Sequence, residues 1–500
     1  MPARKWWPWK LENLRSGGEK RLPGKEGNAV FRQRLTMRQM RLMIDAEIGG
    51  RDTDDERGQY LMELTDGDCF ERYLFADDGP PEDIPRSHQN DDWVVADGWV
   101  YTRPGNWPHL IGVEVGQGKD SWRTAISAED SLFDLLPAAE VPAAYLDLPQ
   151  PAAKMRADLI ALLVADQIEA DLFVTARAFL LDGQFDLARA TTVLHPIDAL
   201  PVVGLFLRSQ NDFVVRRSHY LSDWGERPPR WFFFWAAAHH VLPASHQWSS
   251  VIGAHAKVTN DDGLTHLAAS LHHRVAGALD ARDRLLAALS IPQGNQSGED
   301  AWTLLTQICL WLMGAFDVAA QVADRCLGLN TPEQRIGWQY NDWRKAVKAH
   351  DQALACLVKP GSDGAYLLAI VRELRNSIHG EVLSSSGYQE GSGPVESLVG
   401  IPRSREAELL GAMDALGGRE AWGAKLLWPG NLHLFPGDFL EEMVPRVLGL
   451  LDALIAATPV LQLPGATTPI EEDRSAFEEK YPFHPMLKRA GSRIRWQLGL

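Results

Sequence analysis

The sequence predicts a mainly α protein: multi-domain helical bundles with a small α+β region near the N-terminus. Three observations carry that expectation. Beyond residue 154, apolar residues recur at helical spacing over long stretches. Only DWVVADGWVYTRPGNWPHLIGVEVG (92–116) reads as strands, because its aromatic and β-branched runs are cut by DG and PGN. The chain has 500 residues, of which 45% are hydrophobic and 23% charged. It can therefore bury several cores, at roughly 100–200 residues per domain.

The elements follow in order. Residues 1–44 form a basic arm, with 11 Lys and Arg against 3 Glu. KWWPWK within it suits a membrane interface, but its apolar run is short and interrupted by Pro8. VFRQRLTMRQMRLMIDAEI (30–48) has amphipathic helical spacing. Residues 45–150 form a small acidic α+β region; its first part, 45–100, holds 17 Asp and Glu against 4 Arg. That acidic stretch could cover a basic surface elsewhere. LPQPAAK (148–154) reads as a linker, and residues 151–292 as a helical domain. Its pieces are one long helix or two over 154–183, a short helix through QFDLARATTVLH, an ambiguous stretch at 197–222, a buried helix in RPPRWFFFWAAAHHVL and a strong helix over 262–289.

SIPQGNQSG (290–298) reads as a second linker, followed by a helical bundle over 297–460. A long helix spans 299–329. TPEQ starts the next, with Thr331 as N-cap and Pro332 at the first helical position. The third is GSDGAYLLAIVRELRNSIHG, capped by Ser362 or Asp363. SSSGYQEGSGPVE (384–396) reads as a flexible insertion, two more helices follow, and 461–500 is a C-terminal tail.

A net charge of −16 argues against a whole-protein grip on nucleic acid, though a local basic surface remains open. The four cysteines lack CxxC spacing, and the last three fall in apolar helical patterns, which predicts buried thiols in a reducing, cytoplasmic setting. The N-terminus lacks the apolar core of a secretory signal, and no apolar run reaches about 18 residues, so no transmembrane segment is expected.

The chemistry-bearing stretch is LLAIVRELRNSIHGEVL (367–383). On a helix, Arg372 and His379 are seven apart and Arg375 and His379 four apart, so all three share one face to within about 20–40°. Asn376 lies beside them, while Leu367, Leu368, Val371, Leu374 and Ile378 face the core. An arginine can stabilise charge on a phosphate in transition, and a histidine can take or give the proton of a 2′-hydroxyl or leaving group. The same residues also satisfy a plainer rule: basic groups suit a helix C-terminus, and Gly380 suits the position after it.

This arrangement resembles the HEPN superfamily over roughly residues 297–460. Its members are helical bundles in which an Arg, usually followed by Asn, His or Asp, precedes a His by a gap of four to six residues. The resemblance implies a metal-independent endoribonuclease of a defence or toxin type, using Arg372, Arg375, Asn376 and His379 without a cofactor. It also implies RNA as substrate and a second copy or bundle facing the motif. Arg375 has the polar follower but a gap of only three residues; Arg372 has the six-residue gap but is followed by Glu373. Silent members of the superfamily serve as binding modules. The other reading is therefore a non-catalytic helical interaction protein that assembles with a partner or itself.

Other constellations say less. RRSHYLSDWGERPPRW (216–231) places Arg216, Arg217, Arg227 and Arg230 among aromatics, a mixture that can grip phosphate and stack bases. Seven of the 15 histidines fall between 239 and 273, without HExxH or a cysteine partner, so no metal site is expected. GQGKD near Lys119 lacks the spacing of a phosphate-binding loop. The acidic neighbours of Cys69 argue against a nucleophile.

Overall fold

The fold is described from a computed structural model, which covers residues 39–49, 56–67, 69–77, 98–104, 109–117, 120–127, 130, 133, 134, 136, 139–181, 191–215, 227–377, 380–389, 391, 395–427, 430–466 and 483–500. The chain divides at 227/228 into two compact units. That boundary falls at neither of the two linkers expected from sequence. Residues 151–227 complete the first unit, and residues 290–294 are the turn of a helical hairpin inside the second.

The expected mainly α architecture is corrected here. Of the described residues 59% are helical and 16% are strand, and the first unit is built on a seven-stranded mixed sheet, giving an α/β character. Its strands are β1 (Met40–Asp45), β2 (Phe70–Ala76), β3 (Gly98–Pro104), β4 (Leu110–Gln117), β5 (Asp120–Ser127), β6 (Leu172–Val174) and β7 (Thr192–Leu194). They lie in the order β5-β4-β3-β2-β1-β6-β7. The five from β3 to β7 along that order are parallel; β4 and β5 extend the sheet antiparallel. The expected strands near 92–116 are thus present, as one end of a larger sheet.

The helices of this unit cover both faces. Helix α1 (Ala46–Gly49) is a single turn, and α2 (Glu56–Leu64) links β1 to β2. Helix α3 (Pro151–Gln167) runs from β5 toward β6, α4 (Ala178–Leu181) follows β6, and α5 (Pro196–Ser209) follows β7. Leu159, Leu163 and Val164 of α3 join Met43, Phe75, Val100, Val113 and Phe173 in one core. On the other face α2 meets α5, with Phe70 and Phe206 rings 5.5 Å apart and the Tyr60 hydroxyl donating to the Val215 carbonyl at 3.0 Å. Strands covered on both faces become continuously apolar, which explains MRLMID and LFV. The first was expected to be helical, and the second to lie inside a helix over 154–183. Glu169, at φ +55°, breaks that helix before β6.

The second unit is mainly helical. Its frame is α6 (Arg230–Val241), α7 (Ser245–Thr259), α8 (Gly263–Leu289) and α9 (Asn295–Cys326). Helices α8 and α9 run antiparallel, and at three glycines a long side chain of the facing helix comes close. A Cβ at Gly263 would lie 2.7 Å from Arg325, one at Gly277 3.1 Å from Trp311, and one at Gly314 2.3 Å from Arg274. Each glycine is the space into which a long side chain of the other helix fits.

Helices α10 (Asn341–His350), α11 (Gln352–Cys356), α12 (Asp363–Asn376), α13 (Arg403–Ala415), α14 (Pro436–Ala457) and α15 (Phe483–Leu498) follow. The expected helix from Thr331 to Pro360 is broken. A short turn spans Glu333–Arg335, and Asp351 separates α10 from α11 by accepting a hydrogen bond from the Leu354 N–H at 2.9 Å. The expected flexible insertion instead contains strands β8 (Ser384–Gln389) and β9 (Val395–Gly400). They join β10 (Ala424–Leu427) and β11 (Asn431–Leu434) in a four-stranded sheet, ordered β10-β11-β9-β8.

Cys309 and Cys326 are buried, as expected, but Cys356 is exposed. Helix α9 and the stretch Pro436–Gln462 containing α14 are long and apolar enough to cross a membrane by length and composition. Their most apolar windows are 61% and 50% buried inside the protein, as in core helices.

Candidate functional site

Helix α12 carries the sequence motif. Its start is fixed by the Ser362 hydroxyl, which accepts from the Ala365 N–H at 3.3 Å. Gly364 is needed there because a Cβ would lie 2.1 Å from the Leu357 carbonyl. Leu367, Leu368, Ile370, Val371 and Leu374 are buried, so the apolar face read from sequence enters the core. The helix packs on α9 and α13.

The two arginines of the motif have different surroundings. Arg372 donates through Nε to Glu373 at 3.0 Å and through Nη2 to Glu408 of α13. Glu373, 4% exposed, also accepts from Arg405 at 2.7 Å. Two arginines and two glutamates thus neutralise each other between α12 and α13. Arg372 also lines a small, open cleft with Trp338, Gln339 and Arg344.

Arg375, one turn later, is half-buried and donates to the Asn376 side-chain oxygen at 3.2 Å. Among the described residues, no carboxylate comes within ion-pair distance of it. The charge of Arg375 is felt by Asp317 on α9. Burial raises the Asp317 carboxyl above its usual range, and the positive charges of Arg375 and Arg274 partly offset that rise. His379 lies outside the described residues.

The second basic stretch contributes two described residues. Arg227 pairs with Asp212 at 3.7 Å, and Arg230 donates to Asp280 through Nε at 2.8 Å. Arg216 and Arg217 lie outside the described residues.

The histidine-rich segment forms a stack. The His239 and His272 rings sit 3.9 Å apart and 21° from parallel, with His246 5.6 Å from His239. His272 bonds the Ser245 hydroxyl at 2.8 Å and the Ala268 carbonyl at 3.1 Å. Burial pushes its pKa down to about 4, so it is neutral at pH 7. Among the described residues no three His, Cys, Asp or Glu are grouped to hold a metal.

A constellation in the sheet unit escaped the sequence reading. At the carboxyl ends of the parallel strands, Arg177 donates to both Asp45 oxygens at 2.9 Å. It also reaches Asp77 at 3.2 and 3.1 Å, and Asp158 at 3.1 Å. The Thr175 hydroxyl donates to Asp45, Tyr145 donates to Asp158 at 2.6 Å, and Lys154 pairs with Asp158 at 3.1 Å. Burial by itself would lower the Arg177 pKa, but the bonds and charges of Asp45 and Asp77 hold it raised. This hub lies where the chain order reverses between β1 and β6, the place where open α/β sheets have a crevice. Its guanidinium is already saturated, so it ties β1, β2, β6 and α3 together and leaves no donor for a ligand. A signal was present in sequence: ID, FAD and VTAR each set polar residues directly after an apolar run.

No family model, curated protein or solved structure matches this chain.

Proposed function

We propose that residues 297–460 form an HEPN-like module that cleaves RNA without a metal, in the cytoplasm and as a homodimer or with a protein partner. The observation that carries this reading is Arg375: a half-buried guanidinium beside Asn376 with no carboxylate in ion-pair range among the described residues, while its neighbour Arg372 is neutralised. A desolvated cation of that kind favours an anion, and in RNA the anion is the phosphodiester.

In this reading Arg375 holds a non-bridging phosphate oxygen and Asn376 orients the guanidinium. His379 accepts the 2′-hydroxyl proton. The O2′–P bond then forms and the P–O5′ bond breaks, leaving a cyclic phosphate and a 5′-oxygen that is protonated by a second histidine or by water. Arg372 belongs to the α12–α13 ion network and takes no part.

The competing reading is a non-catalytic helical interaction protein. It is favoured by the fact that Arg375 sits in the last turn of α12, where a cation is stabilising anyway. The deciding experiment incubates the purified full chain with end-labelled single-stranded RNA in EDTA. Cleavage that disappears in His379→Ala and Arg375→Ala supports the RNase. An uncut substrate with the wild-type chain leaves the interaction protein.

A further inference from the structure

We propose that the open face of β3–β5 in the sheet unit is a stacking surface for single-stranded RNA, on which Trp99 and Tyr101 each take a base while Arg103 and Arg123 hold the phosphates. The choice of RNA as the strand rests on the reading of the α12 end. The surface itself is built from other residues and stands without that site.

The surface follows from strand alternation. Val100, Val113, Val115 and Ile126 join the core with α3, so Trp99, Tyr101 and Arg103 point to the opposite side of the sheet. Over β2 that side is covered: Phe70 meets Phe206 of α5, and Arg72 donates to the Met62 carbonyl of α2 at 2.6 Å. Over β3–β5 it is open. Trp99, Tyr101 and Arg103 are half-buried, and the Arg123 side chain on β5 is 64% exposed.

The neighbouring strand makes room for flat rings. The register sets Gly116, Glu114 and Gly112 of β4 opposite Trp99, Tyr101 and Arg103, with Arg123 of β5 beyond Glu114. A Cβ at Gly116 would lie 2.2 Å from the Trp99 indole, and one at Gly112 3.0 Å from the Arg103 side chain. The indole therefore lies down across the backbone of β4. Tyr101 continues the row, its ring 5.4 Å from that of Trp99 and 24° from parallel. Glycine inside a strand weakens it and marks a close approach, and GVEVG places one opposite the indole and one opposite a guanidinium.

Charge selects the ligand. Glu114 pairs with Arg103 and with Arg123, each at 3.2 Å. Two guanidiniums on one carboxylate leave a charge of +1 beside the rings. Aromatic faces with arginines alongside suit bases joined by phosphates, because a ring accepts the face of any base and the cations meet the backbone. An uncharged sugar or an apolar peptide would use the rings and leave that charge unmet.

The test measures binding of a labelled, unstructured 20-nucleotide RNA and of the matching DNA against salt concentration. The full chain carries His379→Ala in these measurements so that bound RNA stays intact, and cleavage in EDTA is followed separately with His379 present. The parent is expected to bind RNA at least as tightly as DNA. Trp99→Ala and Tyr101→Ala are each expected to weaken RNA binding about tenfold, and Trp99→Phe, which keeps a ring, by less than about threefold. Arg123→Gln is expected to weaken it about threefold and to lower the salt slope by about one. Trp122→Ala removes an exposed indole from the opposite side of β5 and should leave binding unchanged. If Trp99→Ala fails to fold, Tyr101→Ala and Arg123→Gln decide. Folded variants that bind RNA as tightly as the parent, or a parent that prefers DNA, overturn the inference. A chain that binds through these residues and cuts nothing keeps the inference and loses the RNase reading. One that cuts RNA while Tyr101→Ala binds and cuts unchanged does the reverse. If the parent does not bind and the wild type does not cut, both fall.

Discussion

Arg177 and Arg375 are both largely withdrawn from water, and only one of them is finished. Arg177 spends its donors on three aspartates contributed by β1, the end of β2 and α3. Arg375 spends one on the neighbouring Asn376 and has no acid within ion-pair distance among the described residues. A saturated buried cation ties the chain together, whereas an unsaturated one is available for a ligand. The difference is testable because the two kinds of arginine fail in different assays.

The largest effect is expected at the saturated one. Arg177→Met leaves Asp45 buried without its cation and Asp158 with only Lys154. Breaking such a network costs about 3–5 kcal/mol. Chemical denaturation should show the transition of the sheet unit moving to clearly lower denaturant, while any cleavage of RNA at low denaturant is kept. An unchanged transition would mean that the hub contributes nothing to the fold.

Next in size is Arg375→Ala. Cleavage is expected to fall about 100-fold, equivalent to about 2.7 kcal/mol of barrier. The melting temperature should stay within a few degrees, because no ion pair among the described residues is lost. A variant that melts early and still cuts RNA would reverse the two assignments. Arg372→Gln should do the opposite of Arg375→Ala on a smaller scale. It loses Glu408 and one partner of the buried Glu373, which costs about 1–2 kcal/mol for a pair that keeps Arg405. Cleavage by this variant should stay within about threefold of wild type.

These residues also show where sequence reading works. Arg375 and Asn376 were legible because helical spacing is local: the ten residues 367–376 place them on a face and place Leu367, Val371 and Leu374 in the core. The status of Arg372 was not, because Glu408 comes from another helix 36 residues away. The placement of Arg274 was invisible for a stronger reason: it lies against Gly314 of another helix, and no window of sequence shows that approach. The sheet was missed because a parallel strand covered on both faces loses the alternation that marks a strand. LFV is only three residues long, and Met-rich MRLMID passes equally well for a helix. The antiparallel β3–β5 segment kept its turn signals and was found. The Arg177 hub joins residues 132, 100 and 19 positions apart, so no window of sequence contains it.

The smallest expected effect concerns an acid that is the converse of Asp45. Glu441 on α14 is half-buried and, among the described residues, has no hydrogen-bonded cation. Burial raises its pKa, Asp438 raises it further, and Arg282 offsets only part, leaving it at about 7. The folded protein therefore holds a proton on Glu441 that the unfolded chain releases near the ordinary pKa of 4.5. Its contribution to stability is full below pH 4.5 and is lost as pH rises through about 7. Glu441→Gln keeps the shape of the protonated acid and removes the titration. The variant should match wild type at pH 4.5 and be more stable at pH 8 by about 1 kcal/mol, seen as a higher melting temperature. If Glu441→Gln is instead less stable at both pH values, the carboxylate is ionised and paired, and it belongs with Asp45 among the saturated charges.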